Sequence, residues 1–178
     1  MKKLALLFVG LVLSVPALAQ EMMPAPAPGA VATLKANFNF VSNFNLQAAE
    51  EVPESEYAFK PTPVVRSFGQ IIGHIADANY LICSTVLGEK NPSPGVEKTK
   101  KSKADLVAAL KASYKYCDAA FSLPDKDTGR DVVLFGQKQS RLSALVGNIG
   151  HNWEHYGNIV TYMRMKGHVP PSSRPRKP

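Results

Sequence analysis

Two histidines, His151 and His155, are the residues best placed for chemistry, because they lie four positions apart in the stretch GHNWEHYGN. In a helix their side chains would differ by about 40° around the axis and lie one turn apart on the same face. Imidazole is a good ligand for zinc and nickel, so the pair could share one ion. The spacing equally fits two surface histidines or two hydrogen-bonded ones, and on spacing alone these alternatives stay open.

The helix face around these histidines differs from that of an ordinary surface helix. It carries no charged residue before Lys166 and is shared by small or polar residues, namely Ala144, Gly147, Asn158 and Tyr162. It lies opposite an apolar stripe that runs from Leu142 to Met163 and includes Trp153, which we expect to anchor the helix in the core. This pattern predicts a helix with two buried sides, one apolar and one polar.

A third histidine, His74, lies in the segment SFGQIIGHIADANYL of a separate predicted helix. It is about 110° from the centre of that helix's apolar stripe, so it should border the core rather than face solvent. Three histidine ligands from two helices leave at least one coordination position for water or substrate, as is typical of catalytic metal sites. The metalloprotease motif H-E-x-x-H is absent.

Several neighbouring residues are candidates for supporting roles. Asp77 lies one turn after the third histidine, and either Asp77 or Asn158 could orient a ligand imidazole. Tyr162 lies on the ligand face and could contact a substrate. Glu154 is a weaker candidate for a base, because it is about 80° from the centre of that face. His168 follows the helix end and is expected to be an exposed tail residue.

Four segments with helical spacing must position these residues, and they predict an all-α protein, a four-helix bundle. Their predicted ranges are about 31–52, 67–88, 102–123 and 140–166. Ser67 and Gln70 form the capping-box pattern at the start of the second helix, and Gly88 is expected to end it. A connection of about fifteen residues before the last helix is long enough that we expect it to cover a cleft.

The N-terminal residues predict export. Residues 1–19 combine two lysines, a short apolar run and the ending Ala-Leu-Ala, which is typical of a signal peptide cleaved after Ala19. The run is interrupted by Pro16, so we favour cleavage over a membrane anchor. A Pro/Ala-rich linker at 20–30, the helical domain at 31–173 and a basic tail at 174–178 follow. We expect the mature protein in the bacterial periplasm, without stable membrane insertion.

Two cysteines, Cys83 and Cys117, could pair in an oxidising compartment or remain buried thiols. The sequence does not decide between these alternatives.

The formal net charge of +7 includes a lysine run at 98–103, but no aromatic residues lie among these lysines. We therefore interpret the charges as solvated loops and expect no nucleic-acid partner.

Two blocks of the sequence, RSFGQIIGHIADANYL and GHNWEHYGNIVTYMRMKGHVPPSS, resemble the DinB / YfiT-like superfamily. The resemblance covers about residues 31–173. It implies a four-helix bundle that binds a divalent metal ion, zinc or nickel, through His74, His151 and His155. Some members of the family are thiol-dependent transferases or isomerases, and others have no known activity.

Two hypotheses for the function follow. The first is a metal-dependent enzyme of the thiol transferase or hydrolase type, with an open three-histidine site and a small-molecule substrate. The alternative is a stress-response module that binds a metal or ligand without turnover. For either, a symmetric homodimer would be the commonest assembly.

Overall fold

The computed structural model describes residues 28–175 and contains four long helices that pack into a bundle. In chain order the helices are α1 (Ala30–Glu51), α2 (Phe68–Leu87), the short α3 (Val96–Thr99), α4 (Lys103–Ala120) and α5 (Arg141–Met165). A small antiparallel hairpin, β1 (Asp131–Leu134) and β2 (Gln137–Ser140), precedes α5. The prediction of an all-α four-helix bundle is confirmed.

Local capping fixes both ends of α2, as the sequence predicted, and the starts of α4 and α5. The Ser67 side chain accepts a hydrogen bond from the backbone of Gln70, and the Gln70 side chain accepts one from the backbone of Ser67. Gly88 ends α2 with a φ of 76°, a conformation that glycine adopts without steric cost. The Ser102 and Ser140 side chains accept hydrogen bonds from the backbone of Asp105 and Ser143 at the starts of α4 and α5.

The apolar core lies between the four long helices, with α2 packed against α4 and α5 and with α1 packed against α5 and α4. At one end of the core Phe38 stacks on Phe121 with ring centroids 4.1 Å apart. Tyr57 and Phe59, from the loop after α1, cover the other end, where Tyr57 packs edge-on against Phe68. The segment between α1 and α2 therefore belongs to the core rather than lying free on the surface.

A network of fully buried asparagines crosses the middle of this core. Asn152 of α5 donates hydrogen bonds to Asn79 of α2 and to Asn148 one turn earlier, at 2.9 and 3.0 Å. The Tyr114 hydroxyl of α4 donates to the Asn152 side-chain oxygen at 2.9 Å. Asn45 of α1 lies within 3.4 Å of the Asn152 carbonyl oxygen. Polar contacts therefore connect all four long helices through one residue, Asn152.

This network changes which face of α5 is buried. The predicted stripe included Val146, which is 52% exposed, and placed Trp153 in the core, whereas Trp153 is only partly buried against it. The buried arc instead includes Asn148, Asn152 and Ile159, and it is rotated by about 80° toward the histidines. The histidine face therefore borders the core rather than lying opposite it. The prediction failed because it was based on apolar residue types alone.

The connection before α5 forms a turn at 125–127 and then the β1–β2 hairpin, whose Leu134 is buried against the bundle.

The structure also joins Cys83 of α2 to Cys117 of α4 in a disulfide, with Cα atoms 5.3 Å apart. The predicted signal peptide and most of the linker lie outside the described residues, as do the last three residues of the tail. Within residues 28–175, no helix is both long and apolar enough to cross a bilayer.

Replacing Asn152 with alanine should lower the free energy of unfolding by about 2–3 kcal/mol, because it leaves several buried polar groups without partners. Urea denaturation of the purified protein measures this loss. Asn39→Ala is the matched control, since Asn39 is exposed on α1, and it should change stability by less than about 0.5 kcal/mol. Equal effects of the two substitutions would contradict a stabilising role for the network.

The disulfide predicts that the unreduced protein, unfolded in denaturant, gains no mass on treatment with an alkylating agent. After reduction it should gain two alkyl groups. The double variant Cys83→Ala/Cys117→Ala should lose about 3–4 kcal/mol of stability, because the bond closes a loop between residues 34 positions apart. Alkylation of both cysteines without reductant would show that the bond does not form.

Candidate metal centre

His74, His151 and His155 meet between α2 and α5, with one nitrogen of each ring directed toward the same point. The Nε2 atom of His151 lies 3.2 Å from Nε2 of His74 and 3.0 Å from Nε2 of His155. All three candidate ligand atoms lie within 4.8 Å of one another. His155 is buried, whereas His74 and His151 are partly buried. The structure therefore brings together the three histidines that the sequence singled out.

Hydrogen bonding between the rings does not account for this arrangement. Each Nε2 atom of a neutral imidazole carries either one hydrogen or one lone pair, so His151 Nε2 can form only one of its two short contacts as a hydrogen bond. A single cation can accept all three lone pairs. Two nitrogens bound to one tetrahedral zinc ion at about 2.0–2.1 Å lie about 3.3 Å apart, close to the contacts of His151. The donor set therefore fits a divalent metal ion.

The charge state of the rings also suits metal binding. Burial, together with the neighbouring histidines, lowers the pKa of His151 to about 4 and that of His155 to about 3. Burial also lowers the pKa of His74, and the Arg66 guanidinium adds to this effect, while Glu97 opposes it. All three rings are therefore neutral near pH 7, and a neutral imidazole is the form that binds a metal.

Glu97, on the short helix α3, is the carboxylate that orients His74. One of its oxygens lies 3.2 Å from Nδ1 of His74, and the other accepts a hydrogen bond from Nε of Arg66 at 3.0 Å. A hydrogen on Nδ1 that bonds to Glu97 leaves the lone pair of His74 on Nε2, toward the other two histidines. This contact fixes both the tautomer and the ring orientation of His74.

The prediction that Asp77 orients a ligand imidazole is corrected by this contact. The Asp77 carboxylate instead accepts hydrogen bonds from the backbone N–H groups of Val96 and Glu97, at 2.7 and 2.9 Å. It thereby holds the start of α3 against α2. Asp77 therefore acts on His74 indirectly, because it positions Glu97, and Glu97 contacts the ring.

Gly73 permits this close approach of α3 to α2. A Cβ atom at position 73 would lie 2.7 Å from the Glu97 Cα atom and 3.1 Å from its backbone nitrogen. Both contacts are with backbone atoms, which cannot rotate away as a flexible side chain can. The absence of a side chain at Gly73 is therefore what allows Glu97 to reach His74.

A cleft of about 600 Å³, which we call the loop cleft, opens beside His155 and is lined by the 60–66 segment, α2 and α5. Asn158 and Tyr162 lie on its wall, and the side-chain amide nitrogen of Asn158 is 3.4 Å from Nδ1 of His155. Turning this amide by half a turn would place its oxygen where it can accept the Nδ1 hydrogen. The Tyr162 hydroxyl donates to the Arg66 carbonyl at 2.8 Å, so it holds the 60–66 segment in place.

A second cleft, of about 330 Å³, lies between α5 and the β1–β2 hairpin, and we call it the hairpin cleft. His151 lies on its wall together with the tip of the β1–β2 hairpin and the small residues Ala144, Gly147 and Gly150. Glu154 lines both clefts and is exposed. The connection before α5 does line a cleft, as the sequence predicted.

His168 differs from its prediction as an exposed tail residue. Its Nε2 atom lies 2.8 Å from a carboxylate oxygen of Glu56, and the His168 side chain is 32% exposed. It is not a member of the three-histidine cluster. It therefore serves as the natural control for experiments on the cluster.

A family model described as the DinB superfamily matches residues 43–159. The chain belongs to the DinB superfamily. The uncharacterized protein YjoA of Bacillus subtilis (strain 168) is 28% identical over 137 residues, which are 74% of this chain and 88% of YjoA. The resemblance noted from the two sequence blocks is confirmed.

Solved structures of DinB-like proteins share the fold. The crystal structure of YjoA from Bacillus subtilis has a TM-score of 0.65 at 22% identity, over 82% of this chain and 99% of that one. A DinB-like protein from Bacillus cereus ATCC 10987 has a TM-score of 0.67 at 16% identity, over 78% of this chain and 93% of that one. At these identities the likeness supports the fold and not the function.

The sequence did not point to Glu97 or Arg66 as members of the site. Glu97 lies in the run GVEKTKKSK, where a single acidic residue among lysines looks like part of a solvated loop. The available signal was Gly95, which lies two residues before Glu97; its φ of 83° places it in the turn that begins α3. A turn that folds a carboxylate back onto a neighbouring helix is visible only once the helices are packed.

Substituting Gly73 with alanine should lower the free energy of unfolding by about 1–3 kcal/mol, because the new methyl group collides with the backbone of α3. The matched control is Gly157→Ala in α5, where no atom lies within 4 Å of the added Cβ. That substitution should raise stability by about 0.5–1 kcal/mol, since alanine favours a helix. Urea denaturation compares the two, and a stabilised Gly73→Ala variant would refute the close-approach argument.

Proposed function

We propose that this DinB-superfamily protein binds one divalent metal ion, zinc or nickel, through His74, His151 and His155, and uses it to transform a small molecule. The observation that carries the proposal is the convergence of three neutral imidazole nitrogens on one point. Family membership supports it, since DinB-family members bind divalent metals. Among residues 28–175, no further His, Cys, Asp or Glu belongs to the ligand cluster, and three ligands leave a position open.

A bound divalent ion would supply Lewis acidity, which makes a nucleophile of a water or a thiol near neutral pH. The remaining roles belong to the chain itself. Glu97 would keep the Nε2 lone pair of His74 directed at the ion, and Asn158 would do the same for His155. Both contacts would also hold the two rings in a fixed orientation.

The two clefts support catalysis over a purely structural metal. Each reaches one of the proposed ligands, the loop cleft at His155 and the hairpin cleft at His151, so a small molecule could approach the open position. Glu154 is a candidate base because it lines both clefts and is exposed. Tyr162 on the loop cleft is a candidate substrate contact. We propose a hydrolase or a thiol transferase as the reaction class.

Export to the periplasm is part of the same proposal. The predicted signal peptide at 1–19 supports it, and so does the Cys83–Cys117 disulfide, because disulfides persist in oxidising compartments. Cell fractionation and N-terminal sequencing of the mature protein test this part, with Gln20 as the expected first residue. Recovery of the intact chain from the cytoplasm would contradict it.

Elemental analysis by mass spectrometry, after loading with zinc and dialysis, should find about one zinc ion per wild-type chain. His151→Ala should retain little metal, because one of three ligands is lost, while circular dichroism should show an intact helical fold. His168→Ala is the matched control and should retain the wild-type amount, because His168 binds Glu56 instead. Loss of both metal and fold in His151→Ala would identify a structural site and favour a non-catalytic role.

A wild-type protein that holds no zinc or nickel under these conditions would overturn the proposal. Equal metal loss in His168→Ala and His151→Ala would also overturn it, because the metal would then not be bound specifically by the cluster. Activity can be sought afterwards with thiols and electrophiles as substrates for the metal-loaded protein.

A further inference from the structure

The tip of the β1–β2 hairpin carries a residue in an unfavourable backbone conformation. Leu134 pairs with Gln137, so Phe135 and Gly136 form a two-residue turn in which both residues have positive φ, 52° and 74°. Among residues 28–175, Phe135 is the one residue other than glycine with positive φ. Turns of this kind favour Asn-Gly, because asparagine tolerates the left-handed region far better than phenylalanine does.

Packing within the bundle does not explain a phenylalanine at this position. The side chain of Leu134 is 5% exposed and anchors the hairpin, whereas Phe135 is 74% exposed. The ring thus contributes little burial to the folded chain, while its backbone conformation is disfavoured. Strained residues that the fold does not need often have a functional contact.

The position of Phe135 indicates what this contact is. Its ring lies on the wall of the hairpin cleft, where Ile82, Leu134 and Ala144 provide further apolar surface. Gly147 and Gly150 on α5 leave room, because no atom lies within 4 Å of a Cβ added at either position. The cleft holds about 330 Å³, enough for the apolar part of a small molecule.

The same cleft includes one member of the histidine cluster. His151 lies on its wall, and Nε2 of His151 makes the short contacts with both other histidines. A molecule bound against Phe135 and Ala144 would therefore lie in the same cleft as one of the three proposed ligands. Within the described part of the chain, Glu154 is the one charged residue on the wall of the hairpin cleft, whereas the loop cleft is also bordered by Lys60, Arg66 and Glu97.

We propose that the hairpin cleft binds an aryl or alkyl group of the substrate, with Phe135 covering it and the reacting end at the three histidines. This inference rests on the proposed metal-dependent function and adds the chemical class of its substrate. It makes Phe135 a residue that determines specificity, and it accounts for an exposed aromatic ring in a turn that favours asparagine.

Two hydroxamates test the proposal, because both carry the same metal-chelating group and differ in the group attached to it. Acetohydroxamate presents only a methyl group, whereas benzohydroxamate presents a phenyl ring for the hairpin cleft. Isothermal titration calorimetry on the zinc-loaded protein gives a dissociation constant for each. For each variant, the dissociation constant of acetohydroxamate is divided by that of benzohydroxamate. Comparing this ratio between variants removes the intrinsic difference in metal affinity between the two hydroxamates.

The informative variant is Phe135→Asn, since asparagine suits the turn and should keep or raise the melting temperature while removing the ring. It should reduce the preference for benzohydroxamate by about five- to tenfold and leave acetohydroxamate binding unchanged. Val133→Thr is the matched control on the same hairpin. Val133 is also exposed but does not line the cleft, so this variant should keep the wild-type ratio.

An unchanged ratio in Phe135→Asn would overturn the inference. A similar drop in Val133→Thr would overturn it too, because the effect would then come from a disturbed hairpin rather than from the ring. If the wild-type chain holds no zinc, the proposed metal function fails and the inference fails with it. If it holds zinc but binds neither hydroxamate, the inference fails and the metal-binding proposal stands. Binding of acetohydroxamate therefore separates failure of the metal site from failure of the apolar subsite.

Discussion

The orientation of α5 about its own axis is the constraint on which the rest of the site depends. Asn148 and Asn152 lie one turn apart on α5, and His151 and His155 follow them by three residues each. The two pairs are thus offset by about 60° around the helix. Because Asn152 bonds to Asn79 and Tyr114 inside the core, any other rotation would leave buried amides without partners. The buried asparagine amides thereby orient the rings of His151 and His155 toward α2.

The position of His74 depends on a second, shorter set of contacts. Asp77 holds the start of α3, α3 presents Glu97, and Glu97 bonds to the ring of His74. Gly73 provides the space in which α3 lies. Gly73 and Asp77 lie close to His74 on α2, and Glu97 lies on the short helix α3. The site is therefore supported by local contacts on this side. On the α5 side it is supported by the whole bundle.

The sequence predicted the fold and the three histidines well, for physical reasons that can be named. Helix ends are local events, and the caps at Ser67, Gly88 and Ser102 could be read directly. The histidine spacing on α5 is likewise a property of one helix. The buried face of α5 could not be derived in this way, because Asn148 and Asn152 are polar by type and buried only through partners on other helices.

The same limit explains the error at Asp77. Two carboxylates, Asp77 and Glu97, were available near His74, and sequence distance favoured the nearer one. Which of them contacts the ring depends on how the 89–101 segment folds back against α2, and this is a tertiary property. The positive φ of Phe135 could not be predicted from the sequence either. Nothing in the neighbouring residue types indicates that a phenylalanine occupies a turn position that favours asparagine.

The Cys83–Cys117 disulfide has a mechanical consequence for the histidine cluster. It ties α2 covalently to α4, whereas α2 and α5 are held together by noncovalent contacts alone within the described residues. A sliding of α5 past the linked α2–α4 pair would therefore separate the histidines of the cluster. In such a shear, His151 and His155 travel together on one rigid helix while His74 stays behind. The cluster lies on the boundary between two mechanical units, and a displacement of 1–2 Å, typical of helix shear, would change its shape.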